Sequence, residues 1–472
     1  MKIKIEGFEL FIRTLHTRLP FKYGIATMTR VPQLVMRMQV VIDGKTWTGI
    51  SADLLALKWF TKDPDRDVQE EIEEMIAVVR HAGQAALGVE GESAFSVWRE
   101  VYGAQRAWGD GQKLAPLLSS FGTTFVERAL LEAICRAAST PFHQMVREDR
   151  LGLNLGEIHP ELANFHARDF LPAEPLDRPF LRQTIGLADP LTAADIAPGE
   201  VLDDGLPQSL VDNIRHYGLR HFKVKVHGSM ERDLDRLERI AAILSEEAAP
   251  DFVFSFDANE QFRSLEDFRR YWDETQRHPA LRKFFAHLYF VEQPLHRDVA
   301  LQAGLQQAFN DWPDRPPILI DESDASLESA RVAMDLGYAG GSYKSCKGVF
   351  KGLANRCLIA QRQREEPGRT RMMSGEDLTN VGPVSTLQDF AVMAALGIES
   401  MERNGHHFFP GLSMYDAETQ RETLAWHGDL FVPTALGWPS LKIEDGRVDL
   451  ESVNRSPFGV GLEFRAEQFE RI

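Results

Sequence analysis

Eight short apolar runs recur between about residue 181 and residue 430: FLRQTIG, HFKVKV, DFVFSFD, HLYFVE, PPILID, YAGGSYK, TRMMSG and GIESME. Between them lie amphipathic segments of helical spacing. In RDLDRLERIAAIL, Leu234, Leu237, Ala241 and Leu244 fall on one face, and SLEDFRRYW opens with a Ser264…Asp267 capping pattern. Alternating strand and helix imply a parallel sheet, because parallel neighbours need a crossover connection and that crossover is right-handed. Eight such units over about 250 residues favour an α/β fold closed into a (β/α)8 barrel rather than an open doubly wound sheet.

The flanks read differently. Residues 1–145 form an α+β unit. The start, MKIKIEGFELFIRTL, alternates like a strand, and LVMRMQVVIDG leads through an Asp43-Gly44 turn into KTWTGIS, a hairpin signature. Helices follow: in DVQEEIEEMIAVV, Val68, Ile72, Met75 and Val79 keep helical spacing. In TTFVERALLEAICRAASTPF, Thr124 and Glu127 make a capping-box pattern and Pro141 marks the exit. Residues 146–180 show no sustained period and read as an insertion or linker. The barrel then occupies 181–430, and residues 431–472 return to strand and turn signals.

Acidic residues outnumber basic ones, 70 to 53, for a net charge of −17 in 472 residues. A nucleic-acid or anionic-membrane partner needs a basic face, so neither is expected. Three cysteines, Cys135, Cys346 and Cys357, without CxxC spacing argue against a disulfide framework or a zinc site. No apolar run is long enough for a membrane span and the N-terminus lacks an apolar signal core, so a cytoplasmic protein is expected. The sequence leaves a homo-oligomer open.

Three successive strands end in an acid: FVFSFD at Asp257, LYFVE at Glu292 and PILID at Asp321. Any one of them could be a helix cap or loop charge. In a barrel, however, C-terminal strand ends converge on one mouth, and three carboxylates gathered there raise one another's pKa. A hard divalent cation resolves the conflict, and oxygen donors suit Mg2+. Lys225 closes the strand before Asp257, and Lys344 closes the strand after Asp321, so two lysines face each other across the acids. Lys223, two residues before Lys225 on the same face, is the neighbouring cation that could lower its pKa toward that of a general base.

These pieces together resemble the enolase superfamily, and within it the mandelate racemase/muconate lactonizing enzyme family. The matching segments are KVK (223–225), FDAN (256–259), VEQP (291–294), IDES (320–323) and YKSCKG (343–348). FKYGIATMT, ERALLEAICRAASTPF and FGVGLEF look like that family's α+β capping domain, formed by the N-terminal region and the C-terminal tail. The resemblance implies Asp257, Glu292 and Asp321 as Mg2+ ligands and Lys225 and Lys344 as acid/base catalysts. It also implies that Lys223 tunes Lys225 and contacts the substrate carboxylate, with Asn259 in a supporting or substrate position. A lysine on each side resembles the muconate lactonizing branch more than the branch with a His–Asp pair.

The implied chemistry is abstraction of the proton α to a carboxylate through an enediolate. Its outcome would be racemisation, epimerisation or cycloisomerisation, with acid-sugar dehydration as the alternative. A barrel that binds acids without turnover is the non-enzymatic reading, and KGVFKG alone is too weak to signal a phosphate-site barrel. Glu402, and His406 or His407, follow the last strands and are further candidates to orient substrate or a lysine. Glu376 and Asp377 read more simply as a helix cap. The segments 18–30 and 51–63 could lid the mouth, and their polar and cationic content suggests an acidic, even hydroxylated, substrate.

Overall fold

A computed structural model describes all 472 residues. Strands β1 (Ile3–Tyr23), β2 (Ala26–Ile42) and β3 (Lys45–Leu54) form an antiparallel ribbon, and the two-residue β4 (Glu90–Gly91) adds to β1. The β2–β3 turn is the expected Asp43-Gly44 pair: φ is 48° at Asp43 and 83° at Gly44, the left-handed pair that a tight hairpin turn requires. Helices α1 (Val68–Ala86), α2 (Ala94–Gly111) and α3 (Pro116–Ala138) cover the sheet. The short α4 (Phe142–Arg147) leads out of this layer.

Thr124 and Glu127 do not start a helix. Helix α3 begins at Pro116, whose fixed φ suits the first helical position, and Leu117, Leu118 and Phe121 extend its buried surface upstream. Thr124 Oγ1 donates to the Phe121 carbonyl at 2.8 Å, inside the helix.

All eight apolar runs are barrel strands: β5 (Phe180–Ile185), β6 (His221–Lys225), β7 (Val253–Asp257), β8 (Leu288–Glu292), β9 (Ile318–Ile320), β10 (Gly340–Tyr343), β11 (Met372–Gly375) and β12 (Ser400–Glu402). Every neighbour pairs in parallel, and β12 pairs with β5 to close the ring. The crossovers carry α5 (Leu210–Tyr217), α6 (Met230–Glu247), α7 (Leu265–Arg277), α8 (Arg297–Ala300) with α9 (Leu305–Asn310), α10 (Ser329–Leu336), α11 (Val349–Glu365) and α12 (Val384–Leu396). The anticipated faces are the buried ones: Leu237, Ala241 and Leu244 of α6 face inward, and Ser264 caps α7 by accepting from Asp267 N. A four-residue helix, α13 (Gly405–Phe408), follows β12.

The irregular stretch before β5 lies along the outside of the barrel. His159 Nε2 meets Asn355 Oδ1 of α11 at 2.8 Å, and Arg364 of α11 donates to the Asp169 carbonyl at 2.6 Å. After the barrel, β13 (Phe431–Pro433) and β14 (Pro439–Leu441) make a small hairpin, and β15 (Glu470–Arg471) pairs with β1. No helix is long and apolar enough to cross a membrane.

Glu127 ties the two layers together. From α3 its carboxylate accepts from Val349 N at 2.9 Å and Phe350 N at 2.7 Å, at the N-terminus of α11. Burial pushes this carboxyl from 4.5 up to about 7, against the two amides that favour its charge. Below 4.5 both folded and unfolded chains hold the proton; between 4.5 and 7 only the folded chain does. Stability from this group is therefore lost as pH rises through that window, by at most roughly 3 kcal/mol. Glu127→Gln should flatten that slope, read as a smaller difference between urea midpoints at pH 5 and pH 8 than the native chain shows.

Candidate active site

The strand register brings the charged residues to one level. Lys225 pairs with Asp257 across β6 and β7, and Asp257 with Glu292 across β7 and β8. Asp321, Lys344 and Glu376 each stand one residue past β9, β10 and β11, and Glu402 ends β12. Every strand end from β6 to β12 thus carries an ionisable group. Strands β6 and β10 are four apart on an eight-strand circle, so Lys225 and Lys344 enter from opposite sides.

Period-2 alternation explains why both lysines of β6 point inward: Lys223 and Lys225 face the lumen while Phe222 and Val224 are buried against the helices. Lys225 Nζ lies 2.6 Å from Asp257 Oδ2 and donates to Asn259 Oδ1 at 2.8 Å. Lys223 Nζ approaches the same Asp257 oxygen at 3.2 Å, so the two lysines are neighbours, as the sequence suggests. Lys223 also lies 2.8 Å from Glu292, 2.8 Å from Glu376 and 3.2 Å from Glu402. Lys344 Nζ sits 2.8 Å from Asp321 Oδ2 and over the Trp59 ring at 4.6 Å from its centroid. Lys347 makes a second ion pair with Asp321, at 3.0 Å from Oδ1.

The protonation states follow from this matching. Burial would discharge Lys223, but Glu292, Glu376 and Glu402 hold its ammonium well above the usual range. Burial likewise opposes the charge on Lys344, and Asp321 outweighs it. Asp321 resists burial because Lys344 and Lys347 hold it well below the usual carboxylate range. Glu292 goes the other way, raised by burial and by the charges of Asp257 and Glu376. It is the acid most in need of further positive charge.

A small cavity lies above these groups, its water-accessible space about 30 Å3, with room for about two water molecules. Lys223, Lys225, Asn259, Lys344 and Glu402 line its floor, joined by Asp377, Thr379 and Asn404. The roof comes from the N-terminal layer: Phe21, Tyr23 and Met28 of the β1–β2 ribbon, and Ala56 and Trp59 just after β3. Segments 18–30 and 51–63 therefore do cover the mouth, but the side chains they present are apolar. Three of their five cations are engaged elsewhere, Arg18 with Asp204 at 2.6 Å, Lys58 with Glu71 at 3.4 Å and Lys62 with Glu260 at 3.2 Å, and neither Lys22 nor Arg30 lines the cavity. The roof is also pinned. Arg18 bonds to Asp204 and to the carbonyls of Leu206, Pro207 and His407, and Arg297 donates to the carbonyls of Trp59 and Phe60.

Of the sequence candidates, Lys223, Lys225, Asn259, Lys344 and Glu402 all meet at this cavity. Glu402 accepts from Lys223, Thr184 and Asn404, and Lys223 holds it well below the usual range despite burial. Neither His406 nor His407 lines the cavity. Arg182 and Thr184 of β5 face the lumen, so Gln183 faces away, and His406 Nε2 meets Gln183 Oε1 at 3.1 Å on that outer side. Burial takes the His406 imidazole down to about 3, so it is neutral there. Glu376, read as a cap, is instead a lumen carboxylate paired with Arg182 and Lys223. Gln293 was also missed. Its Oε1 accepts from Asp321 N at 2.7 Å and Ser323 N at 3.2 Å, fixing the turn that carries Asp321.

The donors fit a hard cation in kind. Asp257, Glu292 and Asp321 are buried carboxylates on neighbouring strands. Glu292 Oε2 and Asp321 Oδ2 lie 2.8 Å from ammonium groups but off hydrogen-bonding directions, so neither buried oxygen has a donor. The ammonium groups stand among the acids, and no three carboxylate, imidazole or thiol groups surround a common point at coordinating distance.

No family model matches the chain and no curated protein does. Solved structures match it over nearly its whole length. A muconate lactonizing enzyme from Pseudomonas fluorescens, complexed with muconolactone, superposes with a TM-score of 0.63 at 16% identity, covering 99% of each chain. A mandelate racemase/muconate lactonizing protein from Herpetosiphon aurantiacus gives 0.60 at 17% identity, over 98% of this chain and 99% of that one. A dipeptide epimerase from Enterococcus faecalis, complexed with Mg and the dipeptide L-Leu-L-Tyr, gives 0.59 at 13% identity, over 97% and 99%. At these identities the likeness is one of architecture, and the chain has the capped (β/α)8 fold of the mandelate racemase/muconate lactonizing proteins.

Proposed function

We propose that the chain is an enzyme of the mandelate racemase/muconate lactonizing family that abstracts the proton α to a small-molecule carboxylate through an enediolate. The observation that carries this is Lys225 and Lys344 entering one cavity from opposite sides, each against a different acid. A base on each face removes the proton from one side of a planar intermediate and returns it to the other. That supports racemisation or epimerisation, or cycloisomerisation where the substrate carries an internal acceptor. Asp257, Glu292 and Asp321 would hold Mg2+, which supplies Lewis-acid stabilisation of the carboxylate as its charge grows. Lys223 adds a fixed positive charge beside that carboxylate, and the apolar roof excludes water from the exchanging proton.

The roof also bears on the substrate. Phe21, Tyr23, Met28 and Trp59 offer one phenolic hydroxyl between them, and Tyr23 Oη is committed to the Leu57 carbonyl at 2.9 Å. A substrate with an apolar portion suits this wall better than a polyhydroxylated acid, which favours isomerisation over acid-sugar dehydration.

The test is deuterium incorporation in D2O with Mg2+, read by mass spectrometry across pools of N-acyl amino acids, dipeptides, unsaturated diacids and acid sugars. Incorporation that needs both Mg2+ and the lysines supports the reading; Mg2+ binding with no incorporation in any pool counts against it. Calorimetric titration should show one saturable Mg2+ site that Asp257→Asn weakens by more than about tenfold, since even changes behind metal ligands cost that much. Unchanged affinity would remove Asp257 from the ligand set.

A further inference from the structure

The opposite end of the barrel carries a second, larger cavity of about 350 Å3, lined by the residues that lead into β9, β10 and β11. Three guanidinium groups line it, those of Arg315, Arg369 and Arg371, and no carboxylate does. Arg315 donates to the carbonyls of Phe309 at 3.0 Å, Trp312 at 2.9 Å and Gly337 at 2.7 Å. Arg371 donates to the next carbonyl, Tyr338, at 2.6 Å and to Glu366 Oε2 at 2.6 Å. Arg369 reaches that same Glu366 oxygen only at 3.7 Å. One carboxylate thus serves the cluster.

Other buried arginines in this acidic chain each have a carboxylate of their own: Arg128 with Asp53, Arg182 with Glu376, Arg403 with Asp389. Here three guanidiniums share the single carboxylate of Glu366. The Arg371 side chain is 3% exposed and its Nε–H, like those of Arg182 and Arg403, has no acceptor. Burial, with the charges of Arg369 and Arg371, lowers the pKa of Arg315, so the three cations are close enough to repel one another. Holding backbone carbonyls explains Arg315 and half of Arg371; it does not explain Arg369, which makes no side-chain bond to the backbone.

We propose that this cavity is a ligand site distinct from the mouth, taking a small doubly charged oxyanion whose carboxylate or phosphate groups face the three guanidiniums. The planar guanidinium fork matches such oxygens bidentately, and the volume falls in the range of small-molecule sites. Binding there would neutralise the surplus charge without disturbing the carbonyl contacts.

Calorimetric titration of the metal-free chain with inorganic phosphate, and separately with succinate, tests this against Arg369→Ala. Arg369 is 60% exposed on its side chain, so the variant should fold normally. The expected result is saturable binding of at least one probe to the native chain, weakened tenfold or more in Arg369→Ala. Phosphate alone would mark a phosphate-bearing ligand, and succinate a dicarboxylate. A dianion held by the lysines of the mouth would bind both proteins equally, and that result, or no binding of either probe at 20 mM, overturns the proposal. The proton-abstraction reading stands or falls separately, on exchange at the mouth.

Discussion

Lys225→Ala and Lys344→Ala are each expected to reduce turnover by roughly 10²–10⁴-fold while the chain stays folded, and the double variant to incorporate no deuterium at all. The fold should survive because each acid that loses its lysine keeps another: Asp257 retains Lys223 at 3.2 Å, and Asp321 retains Lys347 at 3.0 Å. The two single variants should also differ in a telling way. With one base left, a substrate of one configuration still exchanges its α-proton with solvent without inverting, and the other configuration is inert. Exchange experiments on resolved enantiomers would show opposite preferences for the two variants. Identical preferences, or a double variant that still exchanges, would remove the lysines from the base role.

Lys223→Met is expected to produce the largest loss of stability of any single change at the mouth. Its ammonium lies within 3.2 Å of Asp257, Glu292, Glu376 and Glu402, and Glu292 has no other cation in contact. Removing one member of a buried ionic cluster leaves charge uncompensated, at a cost of about 3–5 kcal/mol. The sign with pH follows. Glu402 is held in the ionised form chiefly by this lysine despite burial, so without it that carboxyl would take up a proton in the folded state, whereas Asp257 keeps Lys225 at 2.6 Å. The variant should therefore gain more stability than the native chain does as pH is lowered from 8 toward 5. Denaturant midpoints at pH 5 and pH 8 measure this; a variant as stable as the native chain at pH 8 would show that the cluster is solvated.

Much of this arrangement was legible in the sequence, for a physical reason. Strands of a parallel barrel are covered on both faces, so they read as compact apolar runs, and a charged residue closing such a run stands out. That is why Lys225, Asp257, Glu292, Asp321 and Lys344 could be singled out. Glu376 could not: it follows Ser-Gly and precedes Asp-Leu-Thr, a composition that fits a helix cap equally well, and only the ring of strand ends turns it inward. The roof was misjudged because composition averages over a segment. In 18–30 and 51–63 the cations suggest an acidic ligand, yet Arg18, Lys58 and Lys62 find partners outside the cavity. His406 misled for the opposite reason, being near the site in sequence and on the far side of β5 in space. The start of α3 was displaced because Thr124 and Glu127 match a capping box by spacing alone, while the helix had already begun at Pro116.

The narrowness of the cavity has a kinetic consequence. A space of about 30 Å3 admits no organic acid, so the shape described is that of chemistry and not of uptake. For the proposed reaction, uptake calls for an unlatching and a relatching of the roof, with Arg18 at the ribbon and Arg297 at the segment after β3 as the contacts that release and reform. Where that release is slower than proton transfer, it sets the ceiling on turnover, whatever the speed of the lysines beneath.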